Sequence, residues 1–134
     1  MCGFVTIATF KNENELDILK ELPLMIRELS HRGPDSEGLW QDKEAGIAIG
    51  HRRLSIQDLS NAGDQPFVSS CRRWILAFNG EIYNHIELRN SHYLRDRSVN
   101  WRGDSDTETL VELIAEIGLG STLQIVNGMF AFCV

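Results

Sequence analysis

The chain has 134 residues, 43% of them hydrophobic, with 19 acidic and 13 basic side chains, a formal net charge of −6 and a pI near 5.1. That length suits one globular domain with a real core, while the acidic balance argues against a polyanion-binding face, so no nucleic acid partner is expected. Three cysteines, at 2, 71 and 133, show no disulfide framework or metal-ligand spacing, and the chain reaches the polar Lys11-Asn12-Glu13 too early for a signal peptide or membrane span; a cytoplasmic protein with no membrane contact is expected.

Cys2 to Phe10 is an apolar run rich in β-branched residues, which predicts a buried strand. Leu16, Leu19, Leu22, Met25, Ile26 and Leu29 recur at helical spacing, with Pro23 expected to kink that helix or start its second half, and His31-Arg32-Gly33-Pro34 ends it. Gly38 to Trp40 and Ala45 to Ile49 flank a polar turn and predict a hairpin whose second strand runs on toward Leu54 and Ile56. Asn61 to Pro66 is a loop by composition. Arg73 to Phe78 predicts a strand that stops at Asn79-Gly80, a pair suited to a tight turn with positive φ.

Ser105-Asp106-Thr107-Glu108 has the form of a capping box, and Leu110, Leu113, Ile114 and Ile117 follow on one face, so a second helix is expected there, closed by Gly118 and Gly120. Gly128 to Val134 predicts a last strand. Domains usually finish in a polar segment, whereas Met129 to Val134 is apolar, so the expectation is a chain cut from something longer. Strand-rich patterning with two helices predicts an α+β layered domain.

Cys2 carries the first chemical signal. Removal of Met1 would leave a thiol and a free α-amine on one residue, and an amine of pKa about 7.7–8.0 can take a thiol proton without a histidine. Attack of the thiolate on an amide carbonyl gives a thioester. The ordinary alternative is a small hydrophobe opening a buried strand. Acyl transfer also needs donors for the oxyanion, and the expected turn Phe78-Asn79-Gly80-Glu81 offers a side-chain amide and a backbone N–H. A free amino acid substrate needs an arginine for its carboxylate and acids for its ammonium: Arg52 or Arg53 meets the first requirement, Glu81 and Asp106 the second. Each could equally be solvated surface, and Asp106 a first-turn acid favouring the helix dipole. Histidines 31, 51, 85 and 92 match no ligand signature, so no metal is expected, and no glycine-rich loop is present to cradle ATP.

Taken in order, Met1-Cys2-Gly3, His31-Arg32-Gly33-Pro34-Asp35, Arg53-Leu54-Ser55-Ile56, Asn79-Gly80-Glu81-Ile82-Tyr83-Asn84, Ser105-Asp106-Thr107-Glu108 and Gly128-Met129-Phe130-Ala131-Phe132 resemble the asparagine synthetases, which are class II glutamine amidotransferases. The resemblance covers residues 1–134, although His92 to Arg102 follows no pattern of the family. It implies a four-layer αββα sandwich of N-terminal-nucleophile hydrolase type, truncated at the C-terminus, with L-glutamine as substrate.

The same resemblance implies Cys2 as nucleophile and base, and Asn79 with the Gly80 N–H as oxyanion hole. Arg53 rather than Arg52 would hold the glutamine carboxylate, the segment Arg53, Leu54, Ser55, Ile56 and Gln57 would line the pocket, and Glu81 and Asp106 would receive the ammonium. His31 to Asp35 would organise the pocket, with His31 structural. No cofactor is implied for this domain; ATP and Mg belong to a C-terminal synthetase domain that this chain lacks and that would use the ammonia to amidate a carboxylate such as aspartate. Oligomeric state stays open, a homodimer included. Two alternatives remain: a non-catalytic regulatory domain, and an N-terminal-nucleophile amidase acting on another amide.

Overall fold

In a computed structural model the described residues are 2–9, 18–56, 60–97 and 99–134. The expected strand end at Phe10, the polar stretch 11–15, the helix start at Leu16, the pocket residue Gln57 and Met1 lie outside them.

Among the described residues the chain forms two three-stranded antiparallel sheets. The first has the order β1 (Gly3–Ala8), β3 (Ile47–Arg53), β2 (Ser36–Asp42), with Gly3 opposite Arg52 and Ser36 opposite Arg53. The Asp42 carboxylate accepts the Glu44 and Ala45 N–H groups at 3.0 Å in the β2–β3 turn, which Gly46 closes at φ 68°. Helix α1 (Ile18–Glu28) lies on this sheet. Its Leu22 and Ile26, one turn apart, are buried with Ala48, and Gly50 leaves the space that Ile26 fills, since a Cβ there would collide with its side chain. Pro23 sits inside α1, which continues past it to Glu28.

The second sheet has the order β4 (Phe67–Val68), β5 (Ile75–Ile82), β6 (Gly128–Cys133). Helix α3 (Asp106–Ile117) packs on β5, flanked by α2 (His85–Arg89) and α4 (Leu119–Ile125). Leu76, Phe78 and Ile82 from alternate positions of β5 meet Leu110, Val111, Leu113 and Ile114 of α3 in the larger core. Strands β1 and β3 contact β5, so the two sheets face each other with helices outside.

Several expectations are corrected. The strand at 75 does not end at Asn79-Gly80: β5 runs through both to Ile82, with Asn79 opposite Ala131 and Gly80 opposite Phe130, and neither has positive φ. Glycine is required at 80 because β6 comes so close that a Cβ would lie 2.5 Å from the Phe130 Cα and overlap the Met129 carbonyl. Strand β3 stops at Arg53 rather than continuing toward Ile56. Gly118 ends α3 at φ 80°, but Gly120 lies within α4, and among the described residues there are four α-helices where two were expected, with a 3-10 turn at Asn61–Gly63 in the expected loop. The short elements α2 and β4 are below the length at which hydrophobic periodicity is readable.

Candidate active site

Cys2 stands just before β1, beside the point where β3 ends. The Leu54 N–H donates to its sulfur at 3.4 Å, and the Leu54 carbonyl lies 3.6 Å from the same atom. Arg32 Nε donates to the Cys2 carbonyl at 3.1 Å. The loop containing Arg32 is tied to the end of β3 at several points: Arg52 Nε donates to the Gly33 carbonyl at 2.9 Å, the Asp35 N–H to the Arg53 carbonyl at 3.0 Å, and the Ser55 N–H to the Asp35 carboxylate at 2.7 Å. A Cβ at Gly33 would come within 2.6 Å of the Arg53 nitrogen, so the loop can approach β3 only through glycine. His31 is exposed, and its Nδ1 lies 2.9 Å from the Glu28 carbonyl.

The two neighbouring arginines have different surroundings. Arg53 is 7% exposed, and its Nη1 donates to the Ser60 carbonyl at 2.8 Å and to the Asp64 carboxylate at 3.0 Å. Gly63 packs flat against its guanidinium, where any side chain would collide. Arg52 instead pairs with Glu37 at 2.8 Å.

Asn79, Gly80 and Glu81 lie on β5. The side chains of Asn79 and Glu81 leave the strand on the face opposite Phe78 and Ile82, away from α3. Asp106 opens α3, and its carboxylate accepts the Ile82 N–H at 2.9 Å. Burial pushes the Asp106 carboxyl above the usual range, opposed by that hydrogen bond.

Ser105 caps α3 by accepting the Glu108 N–H at 3.2 Å, but Glu108 does not close a capping box. Its buried carboxylate instead accepts the N–H groups of Arg102 at 2.8 Å and Gly103 at 3.0 Å, and Arg89, 3.6 Å away, stacks on Trp101. These contacts anchor residues 101–105, the first two of which close the stretch His92 to Arg102 that follows no family pattern, and so set the start of α3.

A cavity of about 210 Å³ brings these groups together: Cys2, Arg53, Leu54, Ile56, Asn79, Gly80, Glu81 and Asp106 all line it. Ser55 and Arg52 do not. Gln65, Phe78, Tyr83, Thr107 and Met129 also line it; no motif pointed to Gln65, and Thr107 stood in the Ser105–Glu108 motif without a role of its own. Chemically the cavity offers a thiol, an amide and a strand N–H for an oxyanion, a cation at one side and two carboxylates at another. That arrangement suits acyl transfer from a small zwitterionic amide.

His51, beneath the cavity, is 1% exposed, and its Nε2 donates to the Phe78 carbonyl at 3.0 Å. Burial lowers its pKa from 6.5 to about 4. The unfolded chain therefore binds the proton first, and stability present in full above pH 6.5 falls as pH drops toward 4, by up to about 3 kcal/mol. Urea unfolding at pH 7 and pH 4.5 is expected to show this loss, with a smaller pH dependence in His51→Gln; equal dependence in both proteins would refute the assignment.

Comparison with known proteins follows the same lines. The family described as "Glutamine amidotransferase domain" matches residues 1–134. The chain is 37% identical over 138 residues to asparagine synthetase (glutamine-hydrolyzing) 1 of Bacillus subtilis, covering 100% of this chain and 20% of that protein. Against asparagine synthetase B (glutamine-hydrolyzing) of Escherichia coli it is 37% identical over 132 residues, covering 98% and 22%. Amidase chry2 of Gibberella zeae is 33% identical over 140 residues, covering 98% and 20%. The chain spans about a fifth of the length of these relatives.

Proposed function

The chain belongs to the glutamine amidotransferase domain family, and on that premise we propose that it hydrolyses L-glutamine to glutamate and ammonia, with the Cys2 thiol as nucleophile. The observation that carries this is the convergence of Cys2, Arg53, Asn79, Gly80, Glu81 and Asp106 on one cavity. Once Met1 is removed, the α-amine of Cys2 takes the thiol proton, and the sulfur attacks the side-chain carbonyl carbon of glutamine. The Leu54 N–H donates to that sulfur at 3.4 Å and so holds it at the end of β3.

Asn79 and the Gly80 N–H receive the oxyanion, the C–N bond breaks, and the leaving nitrogen carries away the proton held by the amine as ammonia. Water then cleaves the thioester, releasing glutamate and restoring the thiol. Arg53 holds the substrate carboxylate, and Glu81 and Asp106 hold its ammonium. Leu54 and Ile56 line the pocket; Ser55 supports it through its N–H to Asp35.

The helix-on-sheet, sheet-on-helix order supports a four-layer αββα sandwich of N-terminal-nucleophile hydrolase type, extended by further chain in an intact protein. We place the ammonia acceptor in a synthetase domain, as the names of the longer relatives suggest. Ile56, Tyr83 and Met129, exposed by 72%, 59% and 70%, form an apolar rim at the cavity suited to such a neighbour. ATP and Mg would act there, on a carboxylate such as that of aspartate. Free cysteines at 2, 71 and 133 fit a reducing, cytoplasmic setting, and no helix among the described residues is long and apolar enough to cross a membrane.

Labelling with a glutamine-like chloroketone, followed by peptide mapping, tests the mechanism. The expected product lacks Met1 and carries one adduct, on Cys2. Cys71 is the control: it is exposed, and the Ser69 hydroxyl and the Arg73 N–H lower its thiol pKa, so labelling of Cys2 in preference to it would have to come from the cavity. Glutamine should protect Cys2 alone. An adduct confined to Cys71 or Cys133, or faster turnover of simple acyl amides than of glutamine, would overturn the reading, the latter in favour of an amidase for another amide.

A further inference from the structure

Strand β5 is held unequally at its two edges. On one side β6 pairs with it from Ala77 to Ile82, whereas on the other β4 reaches only Ile75 and Leu76. In an antiparallel strand, residues two apart send their N–H and C=O groups to the same edge. Phe78 and Ile82 both bond away from β6, the first to Gln65 and His51 and the second to Asp106, so Gly80, midway between them, turns its N–H to that same edge, where the cavity lies. The aim of this donor therefore depends on how its flanking peptides are held.

We propose that Gln65 and His51 are positioning residues that clamp both polar groups of the Phe78 backbone and thereby aim the Asn79 and Gly80 donors at the substrate oxyanion; this rests on the glutamine-hydrolysing reading above. Gln65 Oε1 accepts the Phe78 N–H at 2.6 Å, and His51 Nε2 donates to the Phe78 carbonyl at 3.0 Å. Each side chain is constrained to that orientation. The Gln65 amide nitrogen donates to Thr107 Oγ1 at 3.4 Å, which fixes which end of the amide faces Phe78. His51 must carry its proton on Nε2 to meet a carbonyl, and its Nδ1 is then a buried lone pair with no hydrogen-bond partner in the structure.

Apolar side chains of similar size would remove the orphaned Nδ1 but leave the Phe78 N–H and carbonyl unpaired. The polar residues add direction. They come from separate places, His51 from the first sheet and Gln65 from the segment before β4, so the clamp also locks the two sheets together at the level of the cavity. An oxyanion donor moved by about 1 Å loses on the order of 10²-fold in rate, which is the scale a released clamp should reach.

The experiment measures glutamate release and, separately, alkylation of Cys2 by iodoacetamide, a displacement that develops no carbonyl oxyanion. His51→Leu and Gln65→Met are expected to lower kcat by about 10- to 100-fold with KM within about threefold of wild type and Cys2 alkylation within about twofold. His51→Gln, whose amide can donate to the Phe78 carbonyl, should recover most of the kcat lost in His51→Leu. Thr107→Val, which frees the Gln65 amide to turn over, tests the clamp mildly and should lower kcat several-fold if the others unfold.

A rise in KM with unchanged kcat, alkylation falling in step with kcat, or equal kcat in His51→Leu and His51→Gln would overturn the clamp while leaving the reaction in place. Wild-type protein that releases no glutamate overturns the underlying reading as well, and is seen before any variant is made.

Discussion

Cys2→Ala is expected to reduce glutamate release to background, a loss of about 10⁴-fold or more, because Cys2 is the one thiol among the described residues that line the cavity. Cys2→Ser is the sharper test. It keeps the α-amine and nearly the same volume, but a hydroxyl ionises far less readily than a thiol of pKa about 8.5, so an amine of pKa about 7.7–8.0 cannot activate it efficiently. Serine is therefore expected to fall almost as low as alanine. Both variants should fold, since the side chain is only half-buried and its polar contacts are those with Leu54 at 3.4 and 3.6 Å. Glutamate release measured beside the circular dichroism spectrum decides the matter, and a folded Cys2→Ala protein with substantial activity would end the proposal.

The second large effect separates two adjacent donors. Asn79→Ala is expected to lower kcat by about 10²–10³-fold with little change in KM, because on the proposed mechanism the side-chain amide meets charge that develops only in the transition state. Asn79 is half-buried on a strand, and alanine fits there, so thermal stability should change little. Gly80→Ala is expected to behave differently. Its backbone N–H survives, but the new methyl would lie 2.5 Å from the Phe130 Cα, and forcing β6 away should cost about 1–3 kcal/mol or more. Thermal unfolding with steady-state kinetics checks both. The scheme fails if Asn79→Ala changes KM alone, or if Gly80→Ala unfolds at the wild-type temperature.

The ammonium site proposed above depends on α3 for its placement. Asp106 can face the cavity because Glu108, two residues further along the helix and buried, accepts the N–H groups of Arg102 and Gly103 and so holds the approach to the helix. Burial raises the Asp106 pKa, and on the proposed mechanism a bound substrate ammonium would favour the ionised form.

Features governed by a few neighbouring residues were legible in the chain itself. The apolar run at Cys2, the periodicity of Leu22 and Ile26, and the Ser105 cap each depend on local spacing, and the structure has β1, α1 and α3 there, although β1, expected to be buried, is buried only at Gly3. The ordered motifs from Met1-Cys2-Gly3 to Gly128-Met129-Phe130 likewise pointed to the family without any coordinates.

Tertiary contact decided the rest. Asn79-Gly80 reads as a turn because those residues favour one locally, but pairing with β6, some fifty residues on, holds them in a strand, and the close approach of that strand is why glycine is needed. The different surroundings of Arg52 and Arg53 follow from strand alternation at the end of β3 combined with the separate positions of Glu37 and Asp64. Gln65 and His51 carry no motif at all; they matter through single bonds to a backbone 13 and 27 residues away, and such pairings exist only once the two sheets have met.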